Sequence, residues 1–179
     1  MHFKGIELKE FSIPFVGLAN KKYTFNYHID KKFFDNFEFS PVKDGDLAVK
    51  LTFDKQDAVF ILDFDLKGNV ELTCDLCSDS FSYEISKSSR AIIKLSGNEM
   101  EDTDEILYLE NNSSELNVTQ LIYEFISLAI PLKRVHPSDK DGKNGCDPEA
   151  IKLLNKISVN SDSNKNIDPR WESLSKLLN

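Results

Sequence analysis

The chain has 179 residues, of which 40% are hydrophobic and 13 are phenylalanine, so it is long and apolar enough for one domain with a substantial core. Its net charge of −8 is concentrated in residues 1–131, which hold 13 basic and 23 acidic residues, and an acidic body disfavours broad contact with nucleic-acid phosphates. No apolar run approaches the roughly 20 residues of a membrane span, and the first residues lack the layout of a secretory signal. Three cysteines do not suit a disulfide framework. We therefore expect a cytoplasmic protein without membrane contact.

Apolar and polar residues alternate along several short segments, which predicts β-strands. Short consecutive strands joined by tight turns are typical of an antiparallel meander. One of these turns is predicted at Lys67-Gly68-Asn69, and an acidic loop is predicted at residues 97–105. The predicted strands lie at residues 22–30, 46–54, 57–66, 69–74 and 106–109.

A Cys-x-x-Cys turn formed by Cys74 and Cys77 follows the strand at 69–74, and alternating aromatic residues after it predict the returning strand of a hairpin. The third cysteine, Cys146, lies in a later loop rich in Pro, Gly and Asp that also holds His136. We therefore predict that this loop returns to the hairpin, and that the three cysteines meet in space with His136 beside them.

The next element has the start and stop signals of a helix. Asn117 is the predicted N-cap and Gln120 stands at the third helical position, which is the pattern of a capping box. An apolar stripe follows and Pro131 ends the helix. We expect this helix to be the main apolar cover of the sheet.

Two short helices are predicted near the end of the chain. Asp147-Pro148 and Asp168-Pro169 each place an N-cap residue before a proline at the first helical position. A polar linker separates the two helices. We therefore divide the chain into a single α+β domain at residues 1–157 and a linker with a C-terminal helix at residues 158–179.

Three interpretations of the cysteines stay open at the level of sequence. In the first, Cys74 and Cys77 bind a structural zinc ion together with His136 and Cys146, which would complete a tetrahedral set of ligands. In the second they form a redox pair, although such a pair usually opens a helix and has surroundings that lower the thiol pKa. In the third they are reduced cysteines without metal. Zinc is the only cofactor that this pattern suggests.

The basic residues of an acidic protein are candidates for contact with a partner. Lys133 and Arg134 precede the histidine, and the last predicted helix holds Trp171, which either packs on the domain or anchors a partner. We predict that the partner-binding surface includes these residues and a second basic group. That second group consists of Lys87, Arg90 and Lys94.

The order of these motifs resembles the YceD family of bacteria and plastids. The shared features are Leu72-Thr73-Cys74 with Cys77, an aromatic strand, an acidic loop, and a capped helix that runs into Ile130-Pro131-Leu132, Val135-His136 and a later Cys146. The resemblance covers about residues 45–157. It implies a non-enzymatic role in the accumulation or processing of large-subunit ribosomal RNA, with ribosome-assembly proteins or the large-subunit precursor as partners.

We predict an α+β fold in which a curved antiparallel sheet or open barrel of about six to eight strands is covered by one main helix. The function predicted from the resemblance is that of a non-catalytic ribosome-biogenesis factor. The alternative is an enzyme, either a metal-dependent hydrolase or a thiol oxidoreductase that uses the Cys-x-x-Cys pair. The sequence disfavours an enzyme because it has no nucleophile elbow, phosphate-binding glycine loop or histidine-rich metal motif.

Overall fold

A computed structural model describes residues 6–96, 106–110, 112–137 and 145–157 of the chain. These residues form an α+β fold, as the sequence predicted. A short 3₁₀ turn at Lys9–Phe11 precedes the first strand. The strands are β1 (Ser12–Pro14), β2 (Lys22–Ile29), β3 (Asp44–Lys55), β4 (Val59–Thr73), β5 (Ser80–Ser96), β6 (Ile106–Glu110) and β7 (Glu115–Asn117), and the helices are α1 (Lys31–Phe34), α2 (Thr119–Ala129) and α3 (Pro148–Ile157).

The main sheet has five strands in the order β2-β3-β4-β5-β6, and β1 pairs with β7 in a separate two-stranded sheet. The four strands from β2 to β5 are antiparallel, but β6 is parallel to β5, with Ile92 opposite Ile106. The prediction of a wholly antiparallel sheet is therefore wrong at this edge. Ser96 at the end of β5 lies opposite Glu110 at the end of β6, so the two strands run in the same direction. The sheet is mixed and is not closed into a barrel.

The predicted turn at Lys67-Gly68-Asn69 is also wrong, because β4 runs through it without interruption. Gly68 has a φ of +147°, and it lies directly opposite Leu47 of β3. A Cβ atom at this position would collide with the Asp46 carbonyl oxygen and lie 2.7 Å from the Leu47 Cα. The glycine allows the backbone of β3 to approach closely and does not end the strand.

One face of the sheet is buried in the core. The side chains of β3 and β4 that point to this face have almost no exposure to solvent. The 3₁₀ turn, β1, α1 and α2 also contribute to the core, and the Phe125 ring of α2 lies 5.1 Å from the Phe64 ring of β4. Burial of each such side chain contributes about 1.5–3 kcal/mol to the hydrophobic driving force. The buried sheet residues are Leu47, Val49, Leu51, Phe53, Phe60, Leu62, Phe64 and Leu66.

Helix α2 begins close to the predicted position. The Asn117 Oδ1 atom accepts the backbone N–H of Thr119 at 3.0 Å, so Asn117 caps the first turn as expected. The capping box is wrong, because the Gln120 side chain donates to Glu124 Oε1 at 2.9 Å instead of turning back to Asn117. Residues four positions apart lie on the same helix face, so the Gln120 side chain reaches Glu124 more easily than the backbone N–H of Asn117.

The start of α3 agrees with the sequence. The two carboxylate oxygens of Asp147 accept the backbone N–H groups of Glu149 at 3.0 Å and Ala150 at 3.3 Å, as expected of an N-cap next to Pro148. The second predicted C-terminal helix, with Trp171, and the acidic loop at 97–105 lie outside the described residues. Among the residues that are described, no helix is long and apolar enough to cross a membrane.

Candidate metal centre

The Cys-x-x-Cys turn joins β4 to β5 and is fixed by its own backbone. The Cys74 N–H donates to the Asp79 carbonyl at 2.9 Å, and the Ser78 N–H donates to the Cys74 carbonyl at 3.0 Å. Ser78 has a φ of 64°, which closes the turn. The Leu76 N–H lies 3.4 Å from the Cys74 Sγ atom. The turn therefore presents the two thiols at one end of a long hairpin.

Asp75 and Arg134 hold a second segment of the chain against this turn. The Asp75 N–H donates to the Arg134 carbonyl at 2.7 Å, and the Arg134 N–H donates to Asp75 Oδ2 at 2.7 Å. The Arg134 guanidinium also pairs with Asp75 Oδ1 at 3.0 Å. The backbone hydrogen bond from Arg134, together with its charge, lowers the pKa of the Asp75 carboxyl group. This clamp places His136, two residues further on, beside the thiols.

The structure brings together all four residues that the sequence proposed as metal ligands. Cys146 Sγ lies 3.7 Å from Cys74 Sγ and 3.5 Å from His136 Nδ1, and Cys77 Sγ lies 3.5 Å from the same nitrogen. The four ligand atoms all lie within 4.8 Å of one another. The ring of Phe81 packs against the imidazole of His136 with 5.0 Å between the ring centroids. The predicted convergence of these residues is confirmed.

Three of the six separations among the four ligand atoms match those of a tetrahedral zinc site, and the other pairs lie within 4.8 Å. Zinc–sulfur bonds of about 2.3 Å and zinc–nitrogen bonds of about 2.0–2.1 Å imply sulfur–sulfur separations of about 3.8 Å and sulfur–nitrogen separations of about 3.6 Å in a tetrahedron. The measured values of 3.7 Å and 3.5 Å are close to both. Three thiols and one imidazole are also the soft and borderline donors that zinc prefers. Cys74 and Cys146 are buried, with 2% and 7% of their surface exposed.

The electrostatics of the cluster favour a cation. Burial opposes ionisation of Cys74, but hydrogen bonds from the backbones of Cys77, Leu76 and His136 outweigh it and lower the pKa of Cys74 to about 6. Burial, together with the neighbouring sulfurs of Cys74 and Cys77, raises the pKa of Cys146 to about 11. Without a cation, one negative charge is therefore stable at Cys74 and a second charge at Cys146 is opposed. A divalent cation between the sulfurs would remove this conflict.

The basic residues predicted to bind a partner do not form a single free patch. Arg134 is held in the clamp with Asp75, and Arg90 forms an ion pair with Asp63 on the neighbouring strand. The Lys87 Nζ atom donates to the Leu128 carbonyl at the end of α2, at 2.9 Å. Lys133 is exposed, Lys94 lies in β5 opposite Val59, and Trp171 is outside the described residues.

The clamp between Asp75 and Arg134 is the part of the site that the sequence did not indicate. The two residues are far apart in the chain, and neither is itself one of the proposed metal ligands. The sequence does place both residues next to proposed ligands, because Arg134 directly precedes the Val135-His136 pair and Asp75 lies between the two cysteines. A pair of opposite charges that flank two ligand motifs is a candidate for holding them together.

Comparison with known proteins places the chain in a family. Searches of curated proteins and of solved structures find no match. A sequence model of the family described as "Large ribosomal RNA subunit accumulation protein YceD" matches residues 62–178. This range holds the turn, the clamp and all four residues of the cluster. Since the match extends over more than half of the 179 residues, the chain belongs to the YceD family.

Proposed function

We propose that this chain is a non-catalytic factor that supports the accumulation or processing of large-subunit ribosomal RNA through protein or ribonucleoprotein contacts. The observation that carries the proposal is the family match over residues 62–178. The cluster of three cysteines and one histidine supports a role without catalysis. Four protein ligands fill a tetrahedral zinc site, whereas catalytic zinc sites keep a position open for water or substrate.

In this proposal the cluster holds a structural zinc ion. Cys74 and Cys77 come from the hairpin turn, His136 from the segment after α2, and Cys146 from the start of α3. A bound zinc ion would supply no reaction chemistry here and would join these three parts of the chain. The free energy of zinc binding would then become part of the folding free energy.

Metal analysis tests the zinc part of the proposal. Protein purified without chelator should carry one zinc ion per chain, and a chelator should lower its melting temperature. Cys146→Ser should lose zinc, because it removes one of the four ligands. Asp79→Asn is a matched control in the same turn, and it should keep zinc. A zinc content below about 0.2 per chain with an unchanged melting temperature in chelator would contradict a structural zinc site.

The cellular role is tested in a strain that lacks the gene. We expect fewer free and assembled large subunits in sedimentation profiles, and less mature large-subunit ribosomal RNA, than in the parent strain. The wild-type gene should restore both quantities. The Cys146→Ser gene should restore them only in part if zinc stabilises the fold in the cell. Normal amounts of large subunit in the deletion strain would contradict the proposed function, whatever the metal content of the protein.

The proposed partner surface includes Lys133, with Lys87, Arg90, Lys94, Arg134 and Trp171 as further candidates. Arg134 is unsuitable for a test because it also holds Asp75. Lys133 is exposed, so Lys133→Glu should weaken association with large-subunit precursors and reduce the salt dependence of that association. Lys50→Glu, which makes the same charge change on an exposed residue of β3, is the control. Equal association of both variants and the wild type would exclude Lys133 from the contact.

A further inference from the structure

Among the residues that the structure describes, strand β5 is paired on its outer side over only part of its length. It is 17 residues long and pairs with β4 from Ser80 to Lys94, whereas β6 covers only the last five residues, from Ile92 to Ser96. The first half of β5 is therefore an edge of the sheet. Unpaired backbone groups at such an edge are a template for another strand.

The ladder between β4 and β5 shows which backbone groups face outward. The Leu95 N–H donates to the Ala58 carbonyl, and at the other end the Cys74 N–H donates to the Asp79 carbonyl. Antiparallel ladders engage every second residue, so the odd-numbered residues of β5 bond to β4. The even-numbered residues consequently direct their N–H and C=O groups away from the sheet. Among the described residues, no backbone hydrogen bond satisfies these outer groups at Ser82, Glu84, Ser86 and Ser88.

A groove of about 390 Å³ lies along this open edge. Five consecutive residues of β5, from Tyr83 to Lys87, form one side of the groove, and Ala129 at the end of α2 forms the other. Lys87 ties the two sides together through its bond to the Leu128 carbonyl. The side chains of Leu128 and Leu132, which precede and follow Ala129 in the chain, are 68% and 104% exposed. The apolar residues that line the groove itself are Tyr83, Ile85 and Ala129.

We propose that the groove along β5 binds an extended segment of a partner protein as an additional strand. The outward N–H and C=O groups from Ser82 to Ser88 would pair with the backbone of that segment. Every second side chain of the added strand would lie on the face of the sheet that carries Tyr83, Ile85 and Ala129, the apolar residues of the groove, and should therefore be apolar. The serines and charged residues on the open face of β5 disfavour unspecific pairing of edges.

The test uses the full chain and a phage-displayed library of random linear peptides, so it does not depend on the ribosomal role. We expect enrichment of peptides with apolar residues at alternate positions. Binding of a synthetic copy of an enriched peptide should slow amide hydrogen exchange at Ser82, Glu84 and Ser86 at least tenfold. Failure to enrich any peptide, or exchange that is already slow at these amides in the free monomer, would overturn the proposal. Slow exchange in the free monomer would mean that the chain covers its own edge.

Proline substitutions locate the bound peptide. Ser86→Pro removes one outward N–H and leaves the ladder with β4 intact, so it should weaken peptide binding at least tenfold with little change in melting temperature. Ser86→Ala keeps the N–H and should bind like the wild type. Asn26→Pro makes the matched change at the outer edge of β2, on the far side of the sheet, and should also bind normally. Normal binding by Ser86→Pro, or a dimer of the chain that this substitution abolishes, would overturn the assignment of a partner segment to this groove.

Discussion

Gly68 occupies a position that has no room for a side chain. Its φ of +147° is strained for any residue with a Cβ atom, and an added Cβ would collide with the backbone of β3. Gly68→Ala should therefore lower the free energy of unfolding by about 3 kcal/mol or more. Gly17 has nothing within 4 Å of the position of a Cβ, so Gly17→Ala should change stability by less than about 0.5 kcal/mol. Urea denaturation of both variants measures the difference, and equal stabilities would contradict the close approach of β3 and β4.

Asp75 acts on the candidate metal centre through the position of His136. It accepts the backbone N–H of Arg134 and pairs with its guanidinium, so Asp75→Ala should release the segment that carries the histidine. We expect zinc affinity, measured by competition with a chromophoric chelator, to fall about tenfold. Asp79→Ala removes the same charge from the same turn and should leave the affinity unchanged. A similar loss in both variants would assign the effect to charge and not to the clamp.

At the scale of elements, Asn117 links the start of α2 to the first residues of the fold. Its Oδ1 atom caps the helix, and its Nδ2 atom donates to the Leu8 carbonyl at 2.8 Å and to Ser12 Oγ at 2.9 Å. Asn117→Ala removes all three bonds and should cost about 1–2 kcal/mol of stability. Asn117→Asp keeps the acceptor for the Thr119 N–H and should lose less. Denaturant titrations that rank Asp below Ala would show that the cap is not the important contact.

Local patterns in the sequence predicted the elements better than their connections. The alternation in β3, β4 and β5 and the caps at Asn117 and Asp147 were readable because each depends on residues close together in the chain. The turn predicted at Gly68 is wrong, because a glycine between two polar residues indicates a turn unless the strand opposite it is known. The direction of β6 depends on how the chain returns after β5, and no local pattern encodes that path.

The candidate site was predictable as a set of ligands but not as a structure. Two cysteines separated by two residues, followed later by a histidine and a third cysteine, have the chemistry of a zinc site whatever the distance between the two pairs, so Cys74, Cys77, His136 and Cys146 could be grouped. The contact between Asp75 and Arg134 has no such signature, because opposite charges are common throughout the chain. Arg134 was consequently assigned to a partner surface, whereas in the structure it holds the site together.

At the scale of the whole molecule, removal of the proposed zinc ion should loosen one end of the fold and leave the rest intact. The cluster joins the hairpin turn to the segment with His136 and to α3, which has no fully buried residue and packs on the core only through the half-buried Ile151. Chelation should therefore accelerate amide exchange at residues 134–137 and 145–157 while β3 and β4 stay protected. Exchange measured by mass spectrometry with and without chelator tests this. Uniform acceleration throughout the sheet would show that the metal supports the whole core.

The pairing of β1 with β7 has a consequence for synthesis of the chain. Leu8 bonds to the Thr119 hydroxyl 111 residues away, and Ile13 pairs with Leu116. Strands β3 to β5 are neighbours in sequence and can assemble as they leave the ribosome, but β1 must wait for β7. Until then Ile13, which is buried in the finished fold, lacks the strand that lies opposite it. The segment with β1 is thus translated long before the strand that pairs with it.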